Sequence, residues 1–407
     1  MTPIGDIRLK YNQFILRPHP HSNFSLTKKG LTFLVTLTLF FGVLQAGVSN
    51  VFAEENVISL RDAKFEIGGE LELEIIDSQS NGRDFDPGGP GQLEEKNNPN
   101  PRMSIDKIVI TPRVHVTEDI LFQADIQFSP DKTVKLDEVW VKFSNLHFNS
   151  WVRLGQEDMF IQVSRKTESY PILGYAFWQD EDLGLFAGGR TGSFYWRFSA
   201  TNGRRLRDRR ASEDNVYAMT TDDDDNGENN ANKQIGVGLG LNHDFKAGHN
   251  IDLLPFWYTA DLSDEDIVYL ETISGYGAST RNKDQSRYGV NLDYTLGAFN
   301  FFAQYMGAKD GLMDRGGWYV QPSYKQKLGM NRLKSVEFLL RYEQYNVDLA
   351  LDPNDSRTWD RQTTTLAIIS EIVKGFKIKT EYYINDEDTG GADVDNNEVL
   401  VQAEVKF

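Results

Sequence analysis

The chain has 407 residues and is strongly acidic, with 43 basic and 60 acidic side chains and no cysteine. The lack of cysteine excludes disulfides, thiolate metal sites and cysteine nucleophiles, and the excess of negative charge argues against a nucleic-acid partner. Aromatic residues make up 12% of the chain, yet its mean hydropathy of -0.47 is too low for a bundle of membrane helices.

One segment is apolar enough for a membrane helix, and it lies near the start of the chain. It runs from Leu31 to Val48, follows two lysines, and gives way to small and β-branched residues ending at Ala53. We therefore expect residues 1–53 to be a signal peptide with an extended n-region, cleaved after Ala53. An anchoring helix is the alternative, although acidic residues rather than a basic stop-transfer cluster follow. After cleavage 38 basic and 59 acidic residues remain, a net charge of -21.

From residue 64 onward, apolar and polar residues alternate over runs of about ten positions, the length that a tilted strand needs to cross a bilayer. Between Phe65 and Ile75, apolar side chains share one face and four glutamates share the other. The run ending at Phe407 places this ring on the lipid face, and a terminal aromatic residue resembles the signature by which barrel proteins are recognised for insertion. A soluble sandwich also alternates, but its strands usually have only about five or six residues.

The alternation predicts one all-β domain, residues 54–407, folded as a transmembrane antiparallel β-barrel of about sixteen strands. The predicted strands are 64–77, 105–116, 120–128, 134–145, 150–156, 185–190, 194–202, 234–244, 251–262, 286–296, 300–309, 316–325, 335–346, 363–373, 376–385 and 398–407. An even number of strands places both ends of the barrel on the periplasmic side.

The connections between these strands support the same architecture. Tight turns such as 117–119 and 374–375 alternate with longer polar stretches, as periplasmic turns and external loops do in bacterial barrels. The long stretches are 78–104, 157–184, 203–233, 263–285, 347–362 and 386–397. We assign no fixed structure to the polar loop 203–233.

A more specific pattern lies between residues 135 and 160. The run KLDEVWVKF at 135–143 precedes a short turn and the run VRLGQEDMF at 152–160. This pair of strands, the second with a Gly-Gln step, resembles the phosphate-selective porin O/P family. The resemblance implies a sixteen-stranded trimeric channel that favours anions, whose third external loop, here 157–184, folds inward and narrows the pore. Family channels line the pore with arginines and lysines, whereas the inward positions here carry both signs of charge.

Six basic residues are candidates for the pore wall and its narrowest point. They are Lys142, Arg153, Arg165, Lys166, Arg197 and Arg341. The two in the third external loop would attract an anion strongly if the loop folds inward, because low-dielectric walls strengthen their field; a solvated loop pair is the alternative. The other four occupy inward positions, where they either line the pore or form ion pairs across neighbouring strands.

A basic cluster is predicted on the external loop after the seventh strand. It comprises Arg204, Arg205, Arg207, Arg209 and Arg210. Guanidinium groups there are suited to bind lipopolysaccharide phosphates or to collect anions at the pore mouth. The alternative is a solvated loop that pairs with the acidic run following it.

That acidic run resembles the opening of a calcium-binding loop. Asp222 and Asp224 occupy the first and third places, but Lys233 stands at the twelfth, where a bidentate glutamate is needed. The sequence therefore excludes an EF-hand and leaves loose binding of divalent ions at Asp222 and Asp224 as the metal hypothesis.

The function predicted from the sequence is a passive outer-membrane porin for small hydrophilic solutes, favouring anions such as phosphate, with no cofactor and no enzymatic chemistry. The histidines of the mature chain show no metal-ligand spacing, and no inward or rim histidine pairs with a serine in the predicted strand map, as a barrel-borne lipase or protease requires. That enzyme and a non-conducting docking barrel are the alternatives. The expected partners are membrane lipid, lipopolysaccharide, anionic solutes and two further copies of the chain.

Overall fold

The computed structural model describes residues 63–78, 83–85, 93–95, 101–129, 133–160, 163–164, 166–177, 181–209, 219–223, 233–245, 248–273, 276, 282–349, 360–388 and 397–407. The predicted signal peptide, residues 1–53, lies outside these residues.

The described chain forms twenty strands, two short α-helices and one 3₁₀ turn. The strands are β1 (Lys64–Ser78), β2 (Arg83–Phe85), β3 (Leu93–Glu95), β4 (Arg102–His115), β5 (Ile120–Phe128), β6 (Val134–Leu146), β7 (Ser150–Glu157), β8 (Asp182–Thr191), β9 (Phe194–Thr201), β10 (Arg205–Arg209), β11 (Met219–Asp223), β12 (Gln234–Phe245), β13 (His249–Asp261), β14 (Asp284–Leu296), β15 (Phe299–Asp310), β16 (Met313–Met330), β17 (Leu333–Leu349), β18 (Asp360–Val373), β19 (Phe376–Asp388) and β20 (Glu398–Lys406). The helices are α1 (Ile172–Phe177) and α2 (Asp264–Glu271), and the 3₁₀ turn is His147–Asn149.

Sixteen of these strands close into a single antiparallel barrel. They pair with their neighbours in chain order, and β20 closes the ring against β1. The strands β2 with β3 and β10 with β11 form two separate hairpins. Each of the sixteen predicted strands overlaps one barrel strand, so the predicted fold is confirmed. Closure pairs the backbone groups that an open sheet would expose to lipid.

The alternation in sequence becomes two different surfaces in the barrel. Apolar side chains such as Leu239 (73% exposed) and Phe194 (70% exposed) face outward, where a bilayer covers them. Their sequence neighbours face inward and are mostly polar or charged. An exterior of this kind spans a membrane, and a closed even-stranded barrel is the form that bacterial outer-membrane proteins take. None of the helices in the described part of the chain is long and apolar enough to cross a bilayer.

Phe407 extends the closing seam between β20 and β1. Its N–H donates to the Gly69 carbonyl, and the Gly69 N–H donates to the Phe407 carbonyl, both at 3.1 Å. The exposed phenyl ring covers Gly69, where a Cβ would approach ring atoms to within 2.5 Å. The predicted lipid-facing position of this ring is therefore confirmed, and the seam needs a glycine beneath it.

Three external loops fold into the barrel instead of extending away from it. We call them L3 (158–181), L4 (202–233) and L5 (262–283). L3 carries α1, L4 carries the β10–β11 hairpin, and L5 carries α2. Their apolar residues, including Phe177, Leu206 and Leu270, pack into one core with inward residues of the wall such as Tyr345. The described stretches 202–209 and 219–223 of L4 are thus structured, and the prediction of no fixed structure was wrong for these parts.

Capping within L5 orients α2 toward the L4 hairpin. The Asp266 N–H donates to Ser263 Oγ at 3.0 Å, and the Ser263 N–H donates to Asp266 Oδ2 at 2.7 Å, a reciprocal capping box. The second carboxylate oxygen of Asp266 accepts from the Leu206 N–H at 2.9 Å. One buried carboxylate therefore starts the helix and holds the hairpin beside it.

The lipid-facing band can be tested by placing a lysine at two depths. Leu239 lies in the middle of β12 and Leu296 at the periplasmic end of β14, and both side chains face outward. We expect Leu239→Lys to lower the free energy of unfolding in vesicles by about 2–4 kcal/mol and Leu296→Lys by about 1 kcal/mol or less, because the cost of a charge falls toward the interface. Urea titration followed by tryptophan fluorescence measures both; equal losses would contradict the assigned depths.

Candidate functional site: the lumen beside L3

L3 crosses the lumen and is attached to the wall through its own backbone. Inward side chains of the barrel accept hydrogen bonds from backbone N–H groups of L3 that lie outside the regular hydrogen bonding of a helix or strand. These bonds run from Phe160 N to Tyr258 Oη (3.1 Å), Ser164 N to Tyr319 Oη (3.2 Å), Glu168 N to Glu381 Oε1 (2.9 Å), Ser169 N to Tyr383 Oη (3.2 Å) and Ile172 N to Glu343 Oε2 (2.5 Å). The predicted inward fold of the third external loop is confirmed.

Lys166 joins L3 to the wall by its side chain. Its ammonium donates to Glu337 Oε1 and Ser323 Oγ at 2.8 Å and to Asn300 Oδ1 at 2.9 Å. An ammonium has three donors, so these partners use all of them. The predicted lumenal position is correct, and within the described residues Lys166 acts as an anchor for the loop. Its predicted companion Arg165 lies outside the described residues.

Arg341 faces the lumen as predicted, but it does not line open space. Its side chain is 0% exposed because L3 covers it: the guanidinium donates to Thr167 Oγ1 at 2.6 Å and to the Ser169 carbonyl at 3.2 Å. It also pairs with Glu343 at 3.1 Å. The prediction of Arg341 as a pore-lining residue is therefore wrong. Strand alternation predicted that its side chain points inward, but it could not predict that L3 covers that side chain.

A second buried charge cluster fastens L4. Asp222 of the β10–β11 hairpin pairs with Arg287 and Arg315 at 2.7 Å, and Asp310 pairs with the same two arginines at 2.8 Å. All four side chains are at most 1% exposed. Burial opposes ionisation of Asp222, but the two guanidinium groups outweigh it and hold the pKa of this carboxyl below its usual value.

This cluster corrects the metal hypothesis for L4. Asp222 is not available for loose binding of divalent ions, because two arginines occupy its carboxylate inside the barrel. Asp224, the other proposed ligand, lies outside the described residues. Two guanidinium groups therefore occupy the carboxylate for which the sequence pattern suggested a metal cation.

The predicted external basic cluster is also not an exposed array. Arg204 is 2% exposed, and Arg205 forms an ion pair with Glu265 of α2, because L4 turns inward instead of extending from the mouth. The side chains of Arg207 and Arg209 and the whole of Arg210 lie outside the description. Neither described arginine is free for lipopolysaccharide phosphates.

The wall that L3 leaves uncovered carries a different arrangement, which we call the basic trio: Lys142 of β6, Arg153 of β7 and Arg197 of β9. Their cationic groups lie 5.6, 5.1 and 5.5 Å from the centre of one indole ring, that of Trp151. The strand register explains the convergence, since Lys142 pairs with Arg153 and Gly188 lies between Trp151 and Arg197. Three of the six predicted pore-wall residues thus come together.

Further aromatic rings hold the trio in place. The Arg153 guanidinium lies 4.3 Å from the ring centre of Trp140, and that of Arg197 lies 5.0 Å from the ring centre of Tyr195. Arg153 also pairs with Glu157. Neither Lys142 nor Arg197 forms an ion pair with a carboxylate among the described residues. The aromatic partners were not predicted, although alternation already put all three rings on inward positions.

Beside the trio, between the wall and the first residues of L3, lies a cavity of about 310 Å³. Its lining combines the two arginines of the trio with the Trp151 ring, three acidic residues (Glu138, Glu157 and Asp158) and apolar side chains. The apolar side chains include Met159, Phe160 and Leu254. The site therefore offers positive charge, hydrogen-bond acceptors and apolar surface within one space.

Carboxylates and lysines alternate across β19, β20, β1 and β4, the strands around the closing seam of the barrel. The carboxylate oxygens of Glu70, Glu72 and Glu404 lie within 4.8 Å of one another. Lysines are interleaved with them: Lys406 pairs with Glu70 at 2.8 Å, Lys107 with Glu72 at 3.1 Å and Lys379 with Glu404 at 2.9 Å. These contacts form an ion-pair network of the kind that sequence alternation suggested for inward charges.

One serine and one histidine approach each other, outside the inward and rim positions that the prediction covered. Ser193 Oγ lies 2.8 Å from His243 Nδ1 at the tight turn between β8 and β9. Both residues are exposed at the periplasmic end, and among the described residues no carboxylate contacts the His243 ring. The pair lacks the orienting acid of a catalytic triad and lies far from the external rim, where a barrel-borne hydrolase would need it.

Comparison with known proteins bears on the fold. No family model and no curated protein matches the sequence. Among solved structures, OprB of Pseudomonas putida is similar, with 9% identity over 84% of this chain and 93% of that chain and a TM-score of 0.56. The trimer form of OmpT, an outer membrane protein of Vibrio cholerae, has 11% identity over 85% and 99% with a TM-score of 0.51. An anion-selective porin from Comamonas acidovorans has 10% identity over 85% and 100% with a TM-score of 0.50. These likenesses establish the outer-membrane barrel fold.

The buried charge cluster predicts a strong effect of one conservative change. In Asp222→Asn, two arginines retain a single carboxylate, so we expect the free energy of unfolding to fall by about 3 kcal/mol or more, as when other buried pairs lose a partner. The L4 hairpin should also become accessible to protease. Asp264→Asn is the matched control, because Asp264 pairs with Lys283 in an exposed position and such pairs contribute about 1 kcal/mol or less. Similar losses in both variants would contradict the role of the cluster.

Proposed function

We propose that this chain is an outer-membrane porin through which small hydrophilic solutes diffuse passively, with a preference for anions. The observation that carries the proposal is the basic trio, in which Lys142, Arg153 and Arg197 converge on Trp151 beside the space that L3 leaves open. No bond is made or broken in this function. Solutes are selected by the width of the passage beside L3 and by the charges that line this passage.

The electrostatic argument depends on which cations have partners. Arg341 and Lys166 face carboxylates at hydrogen-bond distance, so their fields are largely cancelled nearby. Lys142 and Arg197 lack such partners in the described chain and lie on the wall of the remaining passage. The protein around them has a lower dielectric than water, which strengthens their attraction for an anion relative to bulk solution.

Among anions, phosphate is the solute that the resemblance to the phosphate-selective porin O/P family suggests, and we include it in the proposal as a candidate. Glu138 and Glu157 line the same cavity as Arg153 and Arg197. Their negative charges oppose a doubly charged anion more than a singly charged one. We therefore propose a general preference for anions in which phosphate is admitted without dominating.

A non-conducting docking barrel is the second candidate, and one observation favours it. Described residues of L3, L4 and L5, including Phe177, Leu206 and Leu270, pack with inward residues of the wall into one apolar core. With these loops packed in the lumen, only the space along the wall of the basic trio is left for solutes. The conductance of the purified barrel decides between the two.

We further propose a homotrimer in the outer membrane after removal of residues 1–53. The trimer form of the similar Vibrio cholerae protein supports the homotrimer. The apolar run from Leu31 to Val48 supports the removal of residues 1–53. Crosslinking of the folded protein in vesicles tests the oligomer, and mass spectrometry of the exported chain tests the cleavage site.

The preference for anions is tested by the double variant Lys142→Gln with Arg197→Gln. A unit charge about 6 Å away attracts an anion by about 0.7 kcal/mol at the dielectric of water, a factor of about three. The same charge repels a cation, so losing two charges should lower the anion-to-cation permeability ratio at least about tenfold. Reversal potentials of single channels under a potassium chloride gradient measure this ratio. Lys334→Gln, which removes an exposed lysine at the periplasmic end of β17, is the control and should change the ratio little.

Three results would contradict the proposal. A wild-type channel that prefers cations would remove the anion preference and leave the porin. An unchanged ratio in the double variant would show that solutes pass elsewhere. Absence of conductance from correctly folded protein would favour the docking barrel.

A further inference from the structure

We infer that the cavity beside Trp151 is a binding site for a small carboxylate attached to a planar ring, an aromatic monoanion, which it favours over inorganic anions. The inference rests on the proposed function, because it assigns a substrate class to the same passage. It is carried by three features: rings held flat on the wall, cations gathered over the Trp151 ring, and an apolar surface contributed by L3.

The first feature is the pairing of inward rings with inward glycines. Trp151 lies over Gly188, where a Cβ would come within 2.7 Å of the indole. The rings of Tyr195 and Tyr258 cover glycines of β12 in the same way. A side chain at these positions would push the rings out into the lumen. The glycines therefore let broad aromatic surfaces lie along the wall, where a flat solute stacks at low cost.

The second feature is the charge around the indole ring. Lys142 and Arg197 both lie within 5.6 Å of its centre, and neither forms an ion pair with a carboxylate in the described part of the chain. Arg197 is oriented by a hydrogen bond from Nη1 to the Trp196 carbonyl at 3.2 Å. A guanidinium fork with a nearby ammonium is well suited to one carboxylate group.

The third feature is the apolar side of the cavity. Met159 and Phe160 of L3 face Leu254 of the wall across the same space. Phe160 is fixed there, since its ring stacks on Tyr258 with centres 4.7 Å apart and its N–H donates to the Tyr258 hydroxyl at 3.1 Å. A ring-bearing solute buries apolar surface against these residues. Inorganic phosphate gains nothing from them and loses hydration.

Charge balance and size point to a singly charged solute with one ring. Glu138 accepts from the Trp140 indole N–H at 3.0 Å. Together with Glu157 and Asp158 it adds negative charge to the lining, which disfavours a dianion. The cavity volume of about 310 Å³ lies at the lower end of the range of about 300–1,000 Å³ seen for small-molecule sites. One aromatic ring with a carboxylate fits this volume.

The test compares benzoate with acetate, phosphate and glucose as ligands of the refolded mature barrel. Block of potassium chloride current in planar bilayers and isothermal titration in detergent are measured in parallel. We expect benzoate to bind about tenfold more tightly than acetate or phosphate. In Trp151→Leu the affinity for benzoate should fall about three- to tenfold, the range expected for loss of one aromatic contact, and by clearly more than the affinity for acetate, which lacks that contact.

Controls separate ring recognition from a general disturbance. Trp151→Phe keeps a ring and should recover most of the benzoate affinity. Trp318→Leu removes a tryptophan from the lipid face and should leave binding unchanged. The heat-dependent electrophoretic shift of folded barrels confirms that each variant is closed before it is measured.

The outcomes distinguish this inference from the proposed function. Equal affinity for benzoate and acetate, or tighter binding of phosphate, overturns the inference while an anion-preferring conductance still supports the porin. Tight binding of glucose that Trp151→Leu abolishes also overturns it, since the rings would then serve a neutral sugar. Benzoate binding by titration without any conductance supports the site and overturns the channel.

Discussion

The closure of β20 onto β1 is the constraint on which the rest of the structure depends. A strand in lipid has no water to satisfy its backbone, so each edge must pair with another edge. Once the ring is closed, every second side chain is directed into a confined interior. Charges such as Glu72 and Arg287 must then find partners within that interior. The buried ion pairs and the folded loops both follow from this confinement.

The sequence was sufficient to predict the strands because the alternation is a local property. All sixteen predicted strands overlap barrel strands, and the inward direction of Lys142, Arg153 and Arg197 was correct. The ends of strands were less accurate. The prediction ended β16 at residue 325, whereas the strand continues to Met330, because polar residues near an interface continue the pairing without continuing the apolar pattern.

The partners of inward residues were not predictable in the same way. Alternation predicts that Arg341 faces inward, and the acidic run draws attention to Asp222. The residues that contact these two side chains, however, are distant in sequence. Thr167 is 174 residues from Arg341, and Asp222 is 65 residues from Arg287. The only sequence signal at the candidate site is the set of inward glycines in β8 and β12, which would have indicated rings lying against the wall.

The lumen therefore has two sides that differ in how their charges are used. Where L3 and L4 press against β14 to β19, cations are matched by carboxylates or by backbone carbonyls, and they stabilise the loops. On β6 to β9, where only the first residues of L3 approach the wall, the cations rest against aromatic faces instead. A cation on an aromatic face keeps more of its charge available to a solute than one paired with a carboxylate. In the proposed porin, the wall of the basic trio is for this reason the place where a solute would be recognised, and the packed wall would keep the passage narrow.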